Sequence, residues 1–500
     1  MTTSQPLLFI SGQWCEASDG GVREIRSPHD GSLVACVPEA TLSDVLAAIE
    51  SARSSFDAGL FTSWSYGQRA KLVGRIADLL ERDAEMIAIS ESHDTGKRLV
   101  EARFDLSDVI AVFRYYAELG QNLQSRNVDV GRTEIKSEVV YEPVGVASLI
   151  GPWNYPLLQA SWKVAPALVA GCSFILKPSE LTPSSAIHLI RILDEAGVPK
   201  GVANLILGTG AVVGFPLTSD PRIDMVSFTG GLATGKTIMS AAAQTVKKIA
   251  LELGGKNPNI IFADADLAAA IDNAVTAGFL HSGQVCSAGT RLLVQREIHD
   301  EIVAAIVERA RTIRLGGPND QDTQTGPLIS QAHRAKVETY IASAIAEGAK
   351  LRVGGGRPSE ANLRDGWYLE PAVLDECTTE MNCVQDESFG PVITVEIFDT
   401  EAEAIELGND TIYGLSGAVW TSDQDRAQRV ARALRHGTIW INDYGPYRPE
   451  AEWGGFKASG TGRELGPSGL YEYLEAKHIW TNLKPAKSGW FPETSVGEKP

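Results

Sequence analysis

Cysteine is scarce in this chain and never closely paired in sequence. Its six cysteines, Cys15, Cys36, Cys172, Cys286, Cys377 and Cys383, include no Cys-x-x-Cys pair. That spacing excludes a zinc ribbon and a disulfide framework, and it points to a reducing compartment, the cytoplasm. Long hydrophobic runs are missing as well. The longest, Val164 to Leu176, is too short to cross a bilayer. Met1 to Gly12 lacks the basic region, apolar run and cleavage site of a secretory signal. Positive charge is in deficit: 45 Lys and Arg face 63 Asp and Glu, a net charge of -18. This argues against a nucleic-acid or anionic-membrane partner. There is no internal repeat, no low-complexity tract and no Gly-x-Gly-x-x-Gly fingerprint.

What remains is an ordinary globular composition over 500 residues, enough for two or three packed domains. Short apolar runs alternate with helical patterns. Val144 to Ile150, Cys172 to Lys177, Ala203 to Leu207, Met225 to Phe228 and Lys247 to Leu253 read as strands. Pro156 to Ala170 and Ser184 to Ala196 read as helices, the first opened by proline, the second closed by Gly197. The pattern restarts after Gly255, with strands at Asn259 to Phe262, Arg291 to Val294, Val392 to Phe398 and Gly437 to Ile441, and a helix at Leu267 to Leu280. The expected fold class is therefore α/β, with two doubly wound parallel-sheet (Rossmann-like) domains. Glu134 to Tyr141 alternates like an exposed ribbon, as does the stretch from Lys477, so a small β oligomerisation arm is expected beside them. Trp490-Phe491 in the polar tail suggests docking.

Two segments carry chemistry. Gly283-Gln284-Val285-Cys286-Ser287 sets a cysteine in a glycine-flanked turn, and Leu251-Glu252-Leu253-Gly254-Gly255-Lys256 sets one carboxylate between leucines. A thiol attacks carbonyls only as thiolate, and a carboxylate in apolar surroundings has its pKa raised towards that of a useful base. Alone, each is as much at home in a core. Asn204 to Gly210, with Gly214 beyond it, and Phe228 to Gly235 are glycine turns after strands, suited to a pyrophosphate. Lys177-Pro178-Ser179-Glu180 ends a strand with a carboxylate able to accept both ribose hydroxyls, which favours NAD and leaves NADP open through Lys177.

Seven segments together resemble the aldehyde dehydrogenase superfamily over nearly the whole chain. They are Pro152 to Pro156, Lys177 to Glu180, Phe228 to Gly230, Leu251 to Lys256, Gly283 to Cys286, Glu387 to Pro391 and Gly454 to Gly460. The resemblance implies oxidation of an aldehyde to a carboxylate. Cys286 would form a thiohemiacetal and then a thioester, Asn154 would hold the oxyanion, and Glu252 would activate water. Lys163 and Glu464 would relay protons, or form a buried ion pair. By the same resemblance Ile150, Pro152, Trp153, Lys177, Ser179 and Glu180 would contact the cofactor. So would Gly210, Gly214, Phe228, Thr229, Gly230, Leu253, Glu387 and Phe389. The chain departs from the family at Gly231-Leu232, where Ser-Thr is frequent. The implied cofactor domain comprises residues 1–119, 142–253 and 455–476, the catalytic domain 254–454, and the arm and tail 120–141 and 477–500. A homo-oligomer, dimer or tetramer, follows from the family.

Tyr155, Trp162 and Trp453 resemble the aromatic box of betaine aldehyde and aminoaldehyde dehydrogenases, whose rings attract a quaternary ammonium. Gln284 is expected at the substrate. A fourth box position of plant members is Leu280 here. Asp105 and Asp108 match acidic positions at the tunnel mouth, or form a solvated helix face. Betaine aldehyde is the expected substrate, with other ω-aminoaldehydes and uncharged aldehydes as alternatives. Glu252 argues against a CoA-acylating enzyme, and Cys286 against a purely structural relative. Asp94 matches the carboxylate of a structural monovalent-cation site (K+ or Na+), or caps a helix end.

Overall fold

The computed structural model describes residues 8–491. It is an α/β fold organised around two large parallel-containing sheets. The first has eight strands in the order Gly460–Thr461, Lys248–Glu252, Met225–Thr229, Val146–Ile150, Ser173–Lys177, Ala203–Leu205, Leu8–Ile10 and Gln13–Cys15. Its five middle strands are parallel. Antiparallel strands close both edges, where a purely parallel sheet was expected. Those edge strands are two or three residues long, too short to show a periodicity. The chain direction of winding reverses between Val146–Ile150 and Met225–Thr229, which are neighbours in the sheet. In such sheets a crevice opens outside the carboxyl ends of the strands at the reversal.

Local sequence explains the covering helices. Pro156–Ala170 begins with proline and ends at Gly171, whose φ of +96° suits glycine. All its residues are buried, as a helix enclosed on every side requires. Tyr66–Thr95 begins with a capping box between Ser65 and Gln68. It ends at Gly96, φ +75°, where a Cβ would lie 2.6 Å from Pro28 and 2.7 Å from Pro327. Leu99–Asn122 packs along it and onto Pro156–Ala170. None of the helices in this pairing is long and apolar enough to cross a membrane, and neither is any other among the described residues.

The second sheet has seven strands: Lys350–Val353, Ala372–Asp375, Val392–Phe398, Arg291–Gln295, Pro258–Ile261, Ser416–Trp420 and Thr438–Ile441. Only Lys350–Val353 runs antiparallel to its neighbour. Inside this sheet Arg291 and Glu396 form a two-pronged ion pair, at 2.6 and 3.0 Å, sealed from solvent. A third, antiparallel sheet joins Leu474–Asn482, Ile135–Pro143 and Arg126–Asn127. After its first residue Leu474–Asn482 is exposed along its length. Trp490 and Phe491, expected to dock, stand exposed on this chain. The remainder of the expected tail, residues 492–500, lies outside the described residues.

Glu396→Gln strands the buried Arg291 guanidinium without its counter-charge, so it is expected to destabilise the fold by about 3–5 kcal/mol. A clear drop in Tm by calorimetry, with no loss from a surface control such as Glu401→Gln, is the outcome that checks it.

Candidate active site

The parallel strands of the first sheet deliver their last residues to one crevice. Ile150, Lys177, Thr229 and Glu252 end four of them. Together with the glycine turns they wall a cavity of about 850 Å³. Every residue expected at the cofactor lines it, from Ile150, Pro152 and Trp153 to Glu387 and Phe389. At one end Lys177 Nζ lies 3.5 Å from Glu180 and also donates to the Pro178 carbonyl, while Ser179 Oγ accepts from the Leu181 N–H. At Gly210, Gly214 and Gly231 a Cβ would meet nothing within 4 Å, so backbone faces open space there. Helix Leu232–Ala243 starts beside Gly230 and Gly231 with no side-chain cap. Its first amides are therefore donors available to an anion. At the other end Glu387 accepts from the Gly255 N–H at 3.0 Å, and burial pushes its carboxyl up to about 7. Phe389 meets Trp153 edge-on at 5.2 Å. An extended dinucleotide fits this arrangement: carboxylates for sugar hydroxyls at both ends and uncapped amides between.

The sequence reading missed His333 and Lys336, which also line the cavity from helix Gln331–Glu347. His333 Nε2 donates to the Phe389 carbonyl at 2.7 Å and packs against Trp153. No glycine, strand end or apolar period marks these positions.

Cys286 comes from the other sheet, on the loop between the turn Leu280–Gly283 and strand Arg291–Gln295. That loop is tied down by main chain. Gly283 has φ +68°, and a Cβ on it would sit 2.1 Å from the Gly390 carbonyl oxygen. Asn257 Nδ2 donates to the carbonyls of Cys286 and Ala288, and Tyr444 donates to that of Ser287. Asn154 Nδ2 donates to the Gln284 carbonyl at 2.9 Å. Because an amide nitrogen carries two hydrogens, one stays free beside the cysteine loop. Burial, then the charges of Glu252 and Glu387, push the Cys286 thiol up to about 12. Burial and then Glu464 hold the Glu252 carboxyl well above the usual carboxylate range. Behind Glu252, Lys163 is ion-paired with Glu464 and donates to Thr229 Oγ1 at 2.8 Å. Thr229 in turn donates to Gln159, another cavity residue absent from the sequence reading. Glu464 Oε2 accepts no hydrogen bond among the described residues.

Trp162 and Trp453 belong to one aromatic cluster, 5.9 Å apart, with Tyr447 edge-on to both. Tyr155 lies on the cavity wall, with His281 at its edge and Lys97 Nζ 4.2 Å from the ring centre. Leu280 is exposed. Three expectations are corrected. Gln284 does not offer its side chain to a substrate: it is fully buried and spent on the carbonyls of His281 and Pro327 and the N–H of Ile329. Asp105 is not a free acid at a tunnel mouth: it is buried against Lys97 Nζ at 2.5 Å. Asp94 spends both oxygens on the N–H and hydroxyl of Ser184, so it caps helix Ser184–Ala196 in place of ligating a cation. Asp108 is half-buried and accepts from Tyr447 at 2.6 Å, which ties it to the aromatic cluster. Among the described residues no group of three or more His, Cys, Asp or Glu is arranged to hold a metal ion.

A thiol on one sheet, an amide donor and a buried carboxylate on the other, and a dinucleotide-sized crevice between them define an oxidoreductase with a cysteine nucleophile. The chain belongs to the aldehyde dehydrogenase family, whose profile matches residues 14–479. It is 52% identical over 484 residues to the betaine aldehyde dehydrogenase of Bacillus subtilis, covering 97% of this chain and 99% of that protein. Aminoaldehyde dehydrogenase 2 of Zea mays is 42% identical over 495 residues, covering 98% and 97%. A crystal structure of betaine aldehyde dehydrogenase from Staphylococcus aureus in complex with NAD+ matches with a TM-score of 0.96 at 49% identity, covering 98% of this chain and 97% of that one.

Burial and the neighbouring carboxylates favour the thiol form of Cys286, whereas the thiolate is the nucleophile. Alkylation of Cys286 by iodoacetamide, and kcat/KM with it, is therefore expected to climb as pH rises from about 6 to about 9. In Glu252→Gln, which lacks the neighbouring negative charge, the alkylation profile moves to lower pH while turnover falls. A flat profile in the unaltered chain contradicts this account.

Proposed function

We propose that the chain oxidises betaine aldehyde to glycine betaine with NAD+ and water, yielding NADH. The observation that carries the reading is the meeting of Cys286, Asn154 and Glu252 on the cavity wall, with an aromatic cluster that reaches the cysteine loop through Trp440 and Tyr444. Cys286 sulfur adds to the aldehyde carbon, and the free Asn154 amide hydrogen with the Cys286 N–H holds the resulting oxyanion. When bound, the dinucleotide supplies the acceptor for the aldehyde hydride. Cys286 then carries the acyl group as a thioester, a species water attacks readily once a base removes its proton. Glu252 is that base. Lys163 and Glu464 hold the displaced proton behind it, with Glu464 Oε2 as the open acceptor.

Tyr155 as a wall of the aldehyde site, with Trp162, Trp453 and the Tyr447 that packs on them, suits a trimethylammonium group, each ring being worth about 0.5–2 kcal/mol depending on desolvation. A second reading, other ω-aminoaldehydes, draws on Asp108, a carboxylate at the edge of that cluster. Glu180 and the Lys177 ammonium it engages favour NAD over a 2′-phosphorylated cofactor. No cation at Asp94 is proposed. We assign residues 1–119, 142–253 and 455–476 to a cofactor domain, 254–454 to a catalytic domain, and 120–141 with 477–500 to an arm and tail. The exposed edge Leu474–Asn482 supports assembly as a dimer or tetramer through that arm. Six free cysteines support a reducing, cytoplasmic setting.

NADH absorbance with betaine aldehyde, aminobutyraldehyde and propanal tests the proposal. Betaine aldehyde should give the highest kcat/KM, and adding CoA should leave the product a free acid. Cys286→Ala should be inactive; full activity would end the covalent mechanism. Trp453→Ala should raise the KM for betaine aldehyde by about 2- to 30-fold, the span that one cation–π contact covers.

A further inference from the structure

One buried cation has no part in the chemistry above. Lys97 sits in the short link between helices Tyr66–Thr95 and Leu99–Asn122 and is 1% exposed. Its link is rigidly placed, since Gly96 beside it has no room for a Cβ. The ammonium is held by Asp105 at 2.5 Å and Glu91 at 3.7 Å. It also lies over the Tyr155 ring at 4.2 Å. Tyr155 lines the cavity, whereas Lys97 is buried and is not among the residues that wall it. Glu91 does double duty: its other oxygen accepts from the N–H of Leu157, two residues past Tyr155. The Lys97–Glu91 pair therefore grips Tyr155 by its ring and by the main chain that follows it.

Charge behind that ring is not balanced. One ammonium meets the two carboxylates of Glu91 and Asp105, while Glu101 is engaged by Arg98 at 3.3 Å and Asp108 by Tyr447. We infer that Lys97 is a positioning residue that sets the preference for positively charged aldehydes: with Glu91 it holds Tyr155 by one ring face and by the main chain beyond it, which keeps the ring in place as a cation-binding wall. The inference rests on the reading of Tyr155 as a wall of the aldehyde site. Burial already pushes Asp105 up to about 7 against the pull of Lys97. Without the ammonium, Asp105 becomes a buried carboxylate with no cation at hand and takes up a proton. The ring then loses its clamp, while the net charge behind it is unchanged, because the ammonium and one carboxylate charge vanish together.

The test compares betaine aldehyde with tert-butylacetaldehyde, its neutral carbon isostere, in the full-length chain and in Lys97→Met and Lys97→Arg. In Lys97→Met the ratio of kcat/KM values, charged over neutral, should fall by about tenfold, through the KM for betaine aldehyde, whereas Lys97→Arg keeps it within about twofold. Tetramethylammonium, titrated by tryptophan fluorescence, should bind Lys97→Met more weakly by a similar factor. An unchanged ratio, or a parallel fall for both aldehydes, overturns the role given to Lys97. If Lys97→Met does not fold, Glu91→Gln carries the same comparison, with a fall in the ratio expected and an unchanged ratio overturning the inference. A ratio near one in the unaltered chain has a different meaning, because it refutes the cationic substrate itself.

Discussion

Everything at the site hangs on the seven residues that carry the chain from one sheet to the other. Glu252 ends the last parallel strand of the first sheet, and Pro258 begins the first strand of the second. Between them the main chain has almost no freedom. A Cβ on Gly254 would lie 2.0 Å from Glu387 Oε2, and one on Gly255 would lie 2.4 Å from Asn257 Oδ1. The Gly255 N–H holds Glu387, Ser459 Oγ donates to the Gly254 carbonyl, and Asn257 holds the cysteine loop by two carbonyls. A single extended link thus spaces the base, the carboxylate proposed for the cofactor and the nucleophile. Each of these contacts joins one side chain to main chain, so the side chain's rotamer is fixed by the backbone it meets.

The buried ion pairs tell a second story. Lys163 with Glu464, Lys97 with Asp105, and Arg291 with Glu396 are all sealed from water. Such pairs contribute little net stability compared with apolar packing. Two of them stand directly behind groups that face the cavity, Lys163 beside Thr229 and Lys97 beneath Tyr155. Their placement makes sense as control of charge at the reacting centre. Arg291 and Glu396 belong to the second sheet and hold its strands.

Much of this was legible in the chain itself. One buried stripe closed by Gly197 gave helix Ser184–Ala196, and a nearly continuous apolar run gave the buried strand Val392–Phe398, each over its observed span. Glu252 and Cys286 stood out as reactive groups set among glycines and apolar residues, whereas Asn154 and the roles of all three came from the family resemblance. The antiparallel edge strands were not, being too short to carry a period. Gln284 and Asp105 were misread for a common reason. A polar side chain beside a nucleophile can face the substrate or the scaffold, and only the fold decides which acceptors lie within reach. His333, Lys336, Tyr447 and Lys97 left no local trace, since each acts on residues far away in sequence.

The contact between Gly283 and Gly390 has one more implication. Main chain there touches main chain, with Cys286 three residues beyond one glycine and Phe389 directly before the other. Phe389 is itself in a left-handed conformation, φ +52°, held by His333 at its carbonyl. The aromatic on the cavity wall and the loop that bears the sulfur are therefore mechanically one part. Whatever leans on the Phe389 ring is felt at the thiol through a few atoms of backbone, so the two cannot be adjusted independently.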